Sequence, residues 1–361
     1  MPLEGLEPPT VSLGRNCSSI ELQRLAGTSL AGATSGVLAS ERHVGCHSVV
    51  GMFAVAFDRF GPPEVLELKE LPEPHAGPGE IRIRVVAAGV SPVDLSIRSG
   101  ASPSSGSLVL PHIPGVDAAG VVDEVGEGVN DVAIDDEVFG TVAIARLGGA
   151  TAEYAVLEFW AAKPATMSWS DAGAAGSGIE TATRALDALG VREGSVLLVD
   201  GAAGGVGSIA VQLAIARGAR VIGTGRADSL DFIEALGATA VEYGDGLAER
   251  VEALGVGAVD LALDTSGKGS LAELIAITGS PDNVLTIADF SAASLGVRIS
   301  MGELAGQPHG KHGLAVAAQL SEQGRFRMPV QGEYPFSRAS EAHRAAETGA
   351  RRGKIVLIAG E

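Results

Sequence analysis

Between residues 176 and 300, short apolar runs alternate with segments in which apolar residues recur at helical spacing. The runs predict six strands, at Ser195–Gly201, Arg220–Gly225, Ala240–Tyr243, Val259–Asp264, Val284–Ala288 and Val297–Ser300. The first run has no polar alternation, as expected for a strand that is buried on both faces. Strands that alternate with helices in this way predict an α/β fold with a parallel sheet and right-handed crossovers.

Residues 52–175 follow a different pattern, in which strand-like segments are separated by turns rich in proline and glycine. The strands are predicted at Phe53–Arg59, Val65–Glu70, Glu80–Val90, Gly120–Val125, Glu137–Ile144 and Ala152–Leu157. With one short helix at Pro92–Ser99, this pattern predicts a small barrel-like domain. Towards the end of the chain, helices are predicted at Leu314–Glu322 and Arg338–Thr348, and strands near Val330 and at Lys354–Ile358.

The first 51 residues have neither a sustained helix period nor a sustained strand period. We expect residues 1–51 to be an unstructured extension, with the native start at Met52. His43, Cys46 and His47 have a metal-like spacing, but no second pair of ligands accompanies them. An unstructured segment is therefore favoured over a metal site.

Composition and charge narrow the functional class. A length of 361 residues suits two domains, and a net charge of −18 repels nucleic-acid phosphates and anionic membranes. No run of apolar residues is long enough to predict a membrane span. Both cysteines, Cys17 and Cys46, lie in the first 50 residues, so the remainder has neither disulfides nor thiolate metal ligands. We therefore expect a cytoplasmic globular protein that binds neither nucleic acid nor membrane.

A glycine-rich segment follows the first strand of the parallel sheet and opens a helix. Gly201, Gly204 and Gly207 recur every three residues, which allows a tight turn, close approach of a pyrophosphate and close helix–strand packing. Such a triplet is often only a structural turn, but the strand before it and the helix and strand after it favour dinucleotide binding. The predicted cofactor contacts in this loop are Gly201, Ala202, Gly204, Gly205, Val206 and Gly207.

The end of the second parallel strand indicates which dinucleotide binds. An NAD site usually has an acidic residue there, whereas this strand ends with Thr224 and Arg226 and has no carboxylate before Asp228. Arg226 can pair with a 2′-phosphate through charge-assisted hydrogen bonds, although a solvated loop arginine is the alternative. The sequence therefore predicts NADPH as the cofactor, with Thr224 and Arg226 among its contacts.

Several stretches together identify a family resemblance. They are Ala88–Asp94, Ile113–Val122, Asp136–Gly140, Ala152–Val156, the glycine loop and Gly353–Leu357. With these motifs, residues 52–361 resemble the zinc-free, zeta-crystallin-like quinone oxidoreductases of the medium-chain dehydrogenase/reductase superfamily. The resemblance implies a GroES-like catalytic domain of the β-barrel type (52–175 and 323–361) and a doubly wound Rossmann domain that binds NADP (176–322). It also implies a homodimer joined through the last Rossmann strands.

Zinc ligands are missing from the positions where the resemblance would place them. The zinc branch of the superfamily has a cysteine in the region of Ser91 and a His–Glu pair where Val116 and Asp117 stand. It also has a four-cysteine lobe, for which Thr141–Thr151 leaves no room. A lone carboxylate at Asp117 does not hold zinc, so we predict no metal site.

Without a Lewis acid, the expected reaction is hydride transfer to an acceptor that is already electron-poor, such as a quinone. An enoyl or 2-alkenal reductase of the same fold is the nearest alternative. A non-catalytic NADPH-binding protein is a further one, because Ser91 and Ser96 replace the Asn and Tyr that approach the substrate in the quinone reductases.

The remaining site residues follow from position and from the resemblance. Ser91 and Asp94 are the candidate proton sources, although Asp94 is better explained as a helix-cap or turn residue. Thr181, expected at the start of a helix, is predicted near the nicotinamide or as a cap, and Tyr243 near the adenine or packed on the sheet. Ile287 and Lys354 complete the predicted cofactor contacts, and His75, His112, His309, His312 and His343 are interpreted as surface or structural residues.

Overall fold

Two six-stranded sheets contain most of the apolar runs of the chain. The computed structural model describes residues 51–142, 149–348 and 352–360. The expected unstructured extension, apart from Gly51, and the His43–Cys46–His47 spacing lie outside the described residues.

The first sheet has the barrel-type closure that the sequence predicts. Its early elements are β3 (Ile81–Val90), α1 (Pro92–Ser99), β4 (Asp117–Val125), β5 (Glu137–Val142) and β6 (Tyr154–Ala162), preceded by a separate hairpin of β1 (Gly51–Ala56) and β2 (Glu67–Pro72). Strand β3 pairs with both β4 and β6, which closes the sheet on itself. Alternate residues of β3, among them Ile81, Ile83 and Val85, are buried in the interior.

A long helix, α2 (Trp169–Leu189), packs across this sheet. It begins at the cap residue Ser168, whose hydroxyl accepts from the Asp171 amide at 3.1 Å. Glycines allow close packing: a Cβ on Gly176 would lie 2.0 Å from the Gly140 carbonyl oxygen. The expectation that Thr181 starts a helix is wrong, because Thr181 lies twelve residues into α2 and Ser168 is the cap. The sequence signal was weak here, since α2 is rich in small residues.

The second sheet is parallel throughout. Its elements are β7 (Val196–Asp200), α3 (Gly205–Ala216), β8 (Arg220–Gly225), α4 (Leu230–Glu234), β9 (Thr239–Glu242), α5 (Leu247–Ala253), β10 (Leu261–Asp264), α6 (Leu271–Thr278), β11 (Val284–Thr286) and β12 (Arg298–Ile299). The strand order is β12-β11-β10-β7-β8-β9, which is the doubly wound Rossmann order. Its switch point lies between β7 and β10, where ligands of such sheets bind beyond the carboxyl ends of the strands.

The last part of the chain returns to the first sheet. After α7 (His312–Glu322) come β13 (Val330–Pro335), α8 (Ala339–Thr348) and β14 (Lys354–Ile358). Strand β14 pairs antiparallel with β3 and parallel with β13. Just before β14, Gly353 donates its amide to the Ala203 carbonyl at 3.0 Å, so this strand also contacts the glycine loop of the second sheet.

One buried apolar cluster includes residues of both sheets and of the helices between them. It contains Ala87 and Phe139 from the first sheet, Ile179 and Leu186 from α2, and Leu197 from the second sheet, all fully buried. The burial of these side chains holds the two sheets together through α2. Within the described part of the chain, no helix has both the length and the apolar composition needed to cross a bilayer.

Candidate active site

The glycine loop between β7 and α3 has the geometry of a phosphate cradle. Gly201 has φ +82°, a conformation that favours glycine, and a Cβ on Gly207 would lie 2.2 Å from the Gly201 carbonyl oxygen. Residues Gly204–Val206 are partly exposed, whereas Ala202 and Gly207 are buried. The first-turn amides of α3 have no partner within the helix, so the exposed stretch offers donors and the positive end of a helix dipole.

Beneath the loop, the carboxylate of Asp200 accepts hydrogen bonds from three hydroxyl groups. Its Oδ2 accepts from Ser266 at 2.6 Å and from Ser270 at 2.8 Å, and its Oδ1 accepts from Thr224. Thr224 also accepts from the Gly201 amide at 3.1 Å and is fully buried. The structure therefore gives Thr224 a role in fixing the glycine loop, and its contact with the cofactor stays a prediction.

A second buried carboxylate, Asp264, lies on the strand next to Asp200. It accepts from the amides of Ser266 and Gly267 at 2.8 and 3.0 Å, and from the Thr286 hydroxyl at 2.7 Å. Sequence reasoning missed this polar network under the crevice. The signal available was an acidic residue at the end of each of two otherwise apolar strands.

Two of the predicted cofactor residues are exposed at the end of β8. The Arg226 side chain is 63% exposed, and its Nε lies 3.7 Å from Asp228 Oδ1. Tyr243 is 52% exposed, and its amide donates to the Gly225 carbonyl at 3.1 Å, which fixes it beside the same strand end. Arg352, which the sequence did not single out, donates to the Asp228 carbonyl. Two guanidinium groups thus flank one turn.

Three polar side chains from distant parts of the chain meet beside the loop. Lys354 Nζ lies 2.5 Å from Asp117 Oδ2 and 2.7 Å from Ser91 Oγ, and the Ser91 hydroxyl donates to the same Asp117 oxygen at 2.7 Å. Asp117 Oδ1 accepts from the Ser177 amide of α2. The Lys354 stem packs on the loop, since a Cβ on Gly205 would lie 3.1 Å from its Cγ. Lys354 thus lies next to the glycine loop with its ammonium directed at Asp117, and its contact with the cofactor stays a prediction.

Asp94 has the structural role that the sequence favoured. Its carboxylate accepts from the amides of Ser91 at 2.8 Å and Gly115 at 3.0 Å, and the residue is 2% exposed. Burial raises the pKa of Asp94 to about 7, with a further contribution from the negative charge of Asp117, although the two amides and Lys354 act in the opposite direction. Both carboxylate oxygens are engaged in holding the turns around α1.

The donor set at this place does not fit zinc. Ser91 and Val116 stand where the zinc branch has ligands, and the carboxylate of Asp117 is paired with an ammonium group. In the part of the chain that the structure describes, no three His, Cys, Asp or Glu side chains come together in a metal-binding group.

Other predicted residues have contacts of their own. The Thr181 hydroxyl donates to Glu180 at 3.2 Å and accepts from Arg184 at 3.4 Å, in a buried ion pair on α2. Ile287 is half-buried and its amide donates to the Asp264 carbonyl at 3.0 Å, at the crevice edge of β11. Their cofactor roles stay predictions.

Each of the five histidines in the described part of the chain contacts a side chain of another type. The contacts are His75 with Glu124, His112 with the Phe57 ring, His309 with the Phe159 ring, His312 with Asp187, and His343 with Arg98. His112 and His343 are buried, and the other three are exposed.

Comparison with known proteins agrees with this architecture. The family model described as alcohol dehydrogenase GroES-like domain matches residues 77–165, and the one described as zinc-binding dehydrogenase matches residues 236–357. The 2-methylene-furan-3-one reductase of Solanum lycopersicum is 30% identical over 98% of this chain and 96% of its own. The NADPH-dependent alkenal/one oxidoreductase, chloroplastic, of Arabidopsis thaliana is 31% identical over 85% of this chain and 79% of its own. The quinone oxidoreductase structure from Coxiella burnetii matches with a TM-score of 0.72 and 28% sequence identity. The match covers 86% of this chain and 99% of that chain.

A closed GroES-like barrel joined to a Rossmann sheet with a phosphate cradle defines an oxidoreductase that uses a nicotinamide cofactor and a small-molecule substrate. This chain belongs to the medium-chain dehydrogenase/reductase superfamily, in its quinone oxidoreductase branch. The expected family and fold class are thereby confirmed.

Proposed function

We propose that this protein reduces a quinone or an α,β-unsaturated carbonyl with NADPH, and that it does so without zinc. The supporting observation is the buried ion pair of Lys354 with Asp117, which occupies the place where the resemblance puts zinc ligands. An ammonium paired with a carboxylate does not act as a Lewis acid on an alcohol or a simple carbonyl. The acceptor must then be electron-poor before it binds.

Cofactor binding uses the loop and the turn after β8. In the exposed part of the loop, Gly205 and Val206 hold the pyrophosphate with backbone amides, Arg226 pairs with the 2′-phosphate, and Tyr243 packs along the adenine. When bound, the nicotinamide supplies the hydride. The protein positions the acceptor in the cleft between a catalytic domain (52–175 and 323–361) and a nucleotide domain (176–322).

The enone acceptor is a second candidate with its own support. Two relatives are named as a furanone reductase and an alkenal/one oxidoreductase, and a solved neighbour is named as a quinone oxidoreductase. In addition, Ser91 and Ser96 replace the Asn and Tyr of the quinone reductases in this chain. Quinone and enone share a conjugated carbonyl, so the same hydride chemistry serves both.

We also propose a homodimer joined along the short edge strand β12. Phe290 and Leu295, which lie in the connection between β11 and β12, are 69% and 41% exposed, and a second copy would cover them. Light scattering of the purified protein at micromolar concentration tests the proposed homodimer. A molar mass equal to that of a single chain would contradict it.

The activity is tested by following NADPH oxidation with benzoquinone, a naphthoquinone, a 2-alkenal and a cyclic enone, with a saturated aldehyde as the matched control. We expect turnover with at least one conjugated acceptor, none with the saturated aldehyde, and no effect of a chelator. Turnover of the saturated aldehyde that a chelator abolishes contradicts the zinc-free proposal. Tight NADPH binding without turnover of any acceptor supports the non-catalytic alternative.

A further inference from the structure

A buried chain of hydrogen bonds connects an ammonium group to a serine hydroxyl in the site described above. Lys354 donates to Ser91 Oγ at 2.7 Å, and Ser91 in turn donates to Asp117 Oδ2 at 2.7 Å. The three residues are 6%, 4% and 0% exposed, respectively for Lys354, Ser91 and Asp117. Such a chain of donors is the arrangement that passes a proton from one group to the next.

The Lys354 ammonium group has one hydrogen left for a further hydrogen bond. An ammonium has three hydrogens, and the recorded contacts of Lys354 use two of them, on Asp117 and on Ser91. Among the residues that the structure describes, none accepts the third. The Ser91 hydroxyl has one hydrogen, and rotation about the Cβ–Oγ bond can turn it from Asp117 to another acceptor.

The chain of donors also lies next to the cofactor loop. The Lys354 stem packs on Gly205, and the preceding residue, Gly353, donates to the Ala203 carbonyl. Ser91 lies at the other end, where β3 finishes and α1 begins. The relay therefore runs from the loop that would hold the pyrophosphate to the GroES-like domain that would hold the acceptor.

We propose that Ser91 donates the proton that completes reduction of the acceptor, and that Lys354 replaces it. This inference rests on the proposed function. Hydride addition to a quinone or enone leaves an anion on the acceptor. The Ser91 O–H bond breaks and its proton forms the new O–H or C–H bond of the product. A proton from Lys354 Nζ restores the serine hydroxyl, and water from solvent reprotonates the amine.

Asp117 and Lys354 are positioning and relay residues in this scheme, and Ser91 is the catalytic residue. The Asp117 carboxylate, held by the Ser177 amide, keeps the ammonium group in line with Ser91. Asp94 lies beside this cluster, and its carboxylate fixes the Ser91 backbone.

The test compares Lys354→Met, Lys354→Arg and Ser91→Ala with the wild-type enzyme, using an acceptor that the wild type reduces. We expect each variant to lower kcat about 100-fold, with the dissociation constant of NADPH, measured by fluorescence, changed by less than about threefold. Arginine keeps the charge but does not give up a proton, so it should not restore kcat. Methylamine added to a Lys354→Ala variant should restore part of kcat.

Lys163→Met is the matched control, because the Lys163 side chain is only 7% exposed and is also paired with a carboxylate, 3.0 Å from Glu137 Oε2. It should leave kcat unchanged. Near wild-type kcat in Lys354→Arg, or a loss confined to NADPH affinity, overturns the relay, since charge alone or cofactor contact would then explain Lys354. If Lys354→Met does not fold, the Lys354→Arg and Ser91→Ala variants still test the relay. Absence of wild-type turnover would instead contradict the proposed function.

Discussion

The Nε atom of Arg226 lies 3.7 Å from Asp228 Oδ1, too far for a hydrogen bond, although the two residues flank one turn at the end of β8. Both side chains are more than half exposed, so this pair contributes little to stability. The guanidinium is thus available to an anion, and the strand end has no carboxylate of its own to bond ribose hydroxyls.

Arg226→Ala should narrow the preference for NADPH over NADH about tenfold, because one charge-assisted pair with the 2′-phosphate is lost. Dissociation constants for both cofactors, measured by fluorescence titration, check this. Arg325→Ala is the control, since Arg325 is exposed and its guanidinium donates to the Gln323 side chain at 3.3 Å. An unchanged ratio of the two constants in Arg226→Ala would show that the guanidinium is only a solvated loop charge.

Substitutions at two glycines of the loop should distinguish a role in packing from a role in cofactor binding. A Cβ on Gly207 would lie 2.2 Å from the Gly201 carbonyl oxygen, whereas a Cβ on Gly204 would lie 3.3 Å from the same atom. Gly207→Ala should therefore lower the melting temperature by several degrees, through overpacking of about 1–3 kcal/mol. Gly204→Ala should leave it nearly unchanged but weaken NADPH binding about tenfold or more, since the methyl group lies where the phosphates approach. Equal effects of the two substitutions on melting temperature would refute this division.

The Rossmann half of the fold was predictable because its signals are local. Each strand is a short apolar run, and the prediction Ser195–Gly201 agrees with β7 to within one residue at each end. Helix α2 was harder to place, since its alanines and glycines give little contrast between faces.

Residues of the candidate site were predictable only where a motif is contiguous. The glycine loop is such a motif, but Lys354 is 237 residues from Asp117 and 263 from Ser91, so no spacing reveals their contact. The support that Thr224 gives to the loop was not predictable either, because its hydroxyl donates to Asp200, which lies 24 residues earlier in the chain.

Asp94 should give the folded protein a distinct pH dependence. Burial raises the pKa of its carboxyl from 3.8 to about 7, so between these values the folded state retains a proton that the unfolded state releases. The stability contributed by the wild-type residue therefore falls as the pH rises from about 4 to about 7, by up to about 4 kcal/mol. Consequently, the stability advantage of wild type over Asp94→Asn should shrink over this range, as urea unfolding at several pH values would show.

Asp136→Asn is the control for that experiment, because Asp136 also accepts from the amide three residues before it, 2.8 Å from Ala133, but is exposed. The Asp94→Asn difference should change with pH more steeply than the Asp136→Asn difference. A constant difference at Asp94 would mean that its carboxyl stays ionised in the folded protein.

Two buried histidines should make the folded protein less stable as the pH falls, which is opposite to the effect of Asp94. Burial lowers the pKa of His112 to about 4, and burial together with the Arg98 charge lowers that of His343 to about 3. As the pH falls below 6.5, the unfolded state binds these protons first, so stability is complete above 6.5 and decreases by up to about 1.4 kcal/mol per pH unit for each histidine. His343→Asn keeps an acceptor for Arg98 but has nothing to protonate, so its acid unfolding should be shallower than that of wild type. His75→Asn, at an exposed position, is the control variant measured alongside it. Acid-unfolding curves that are parallel for wild type and His343→Asn would show that His343 is protonated in the folded protein.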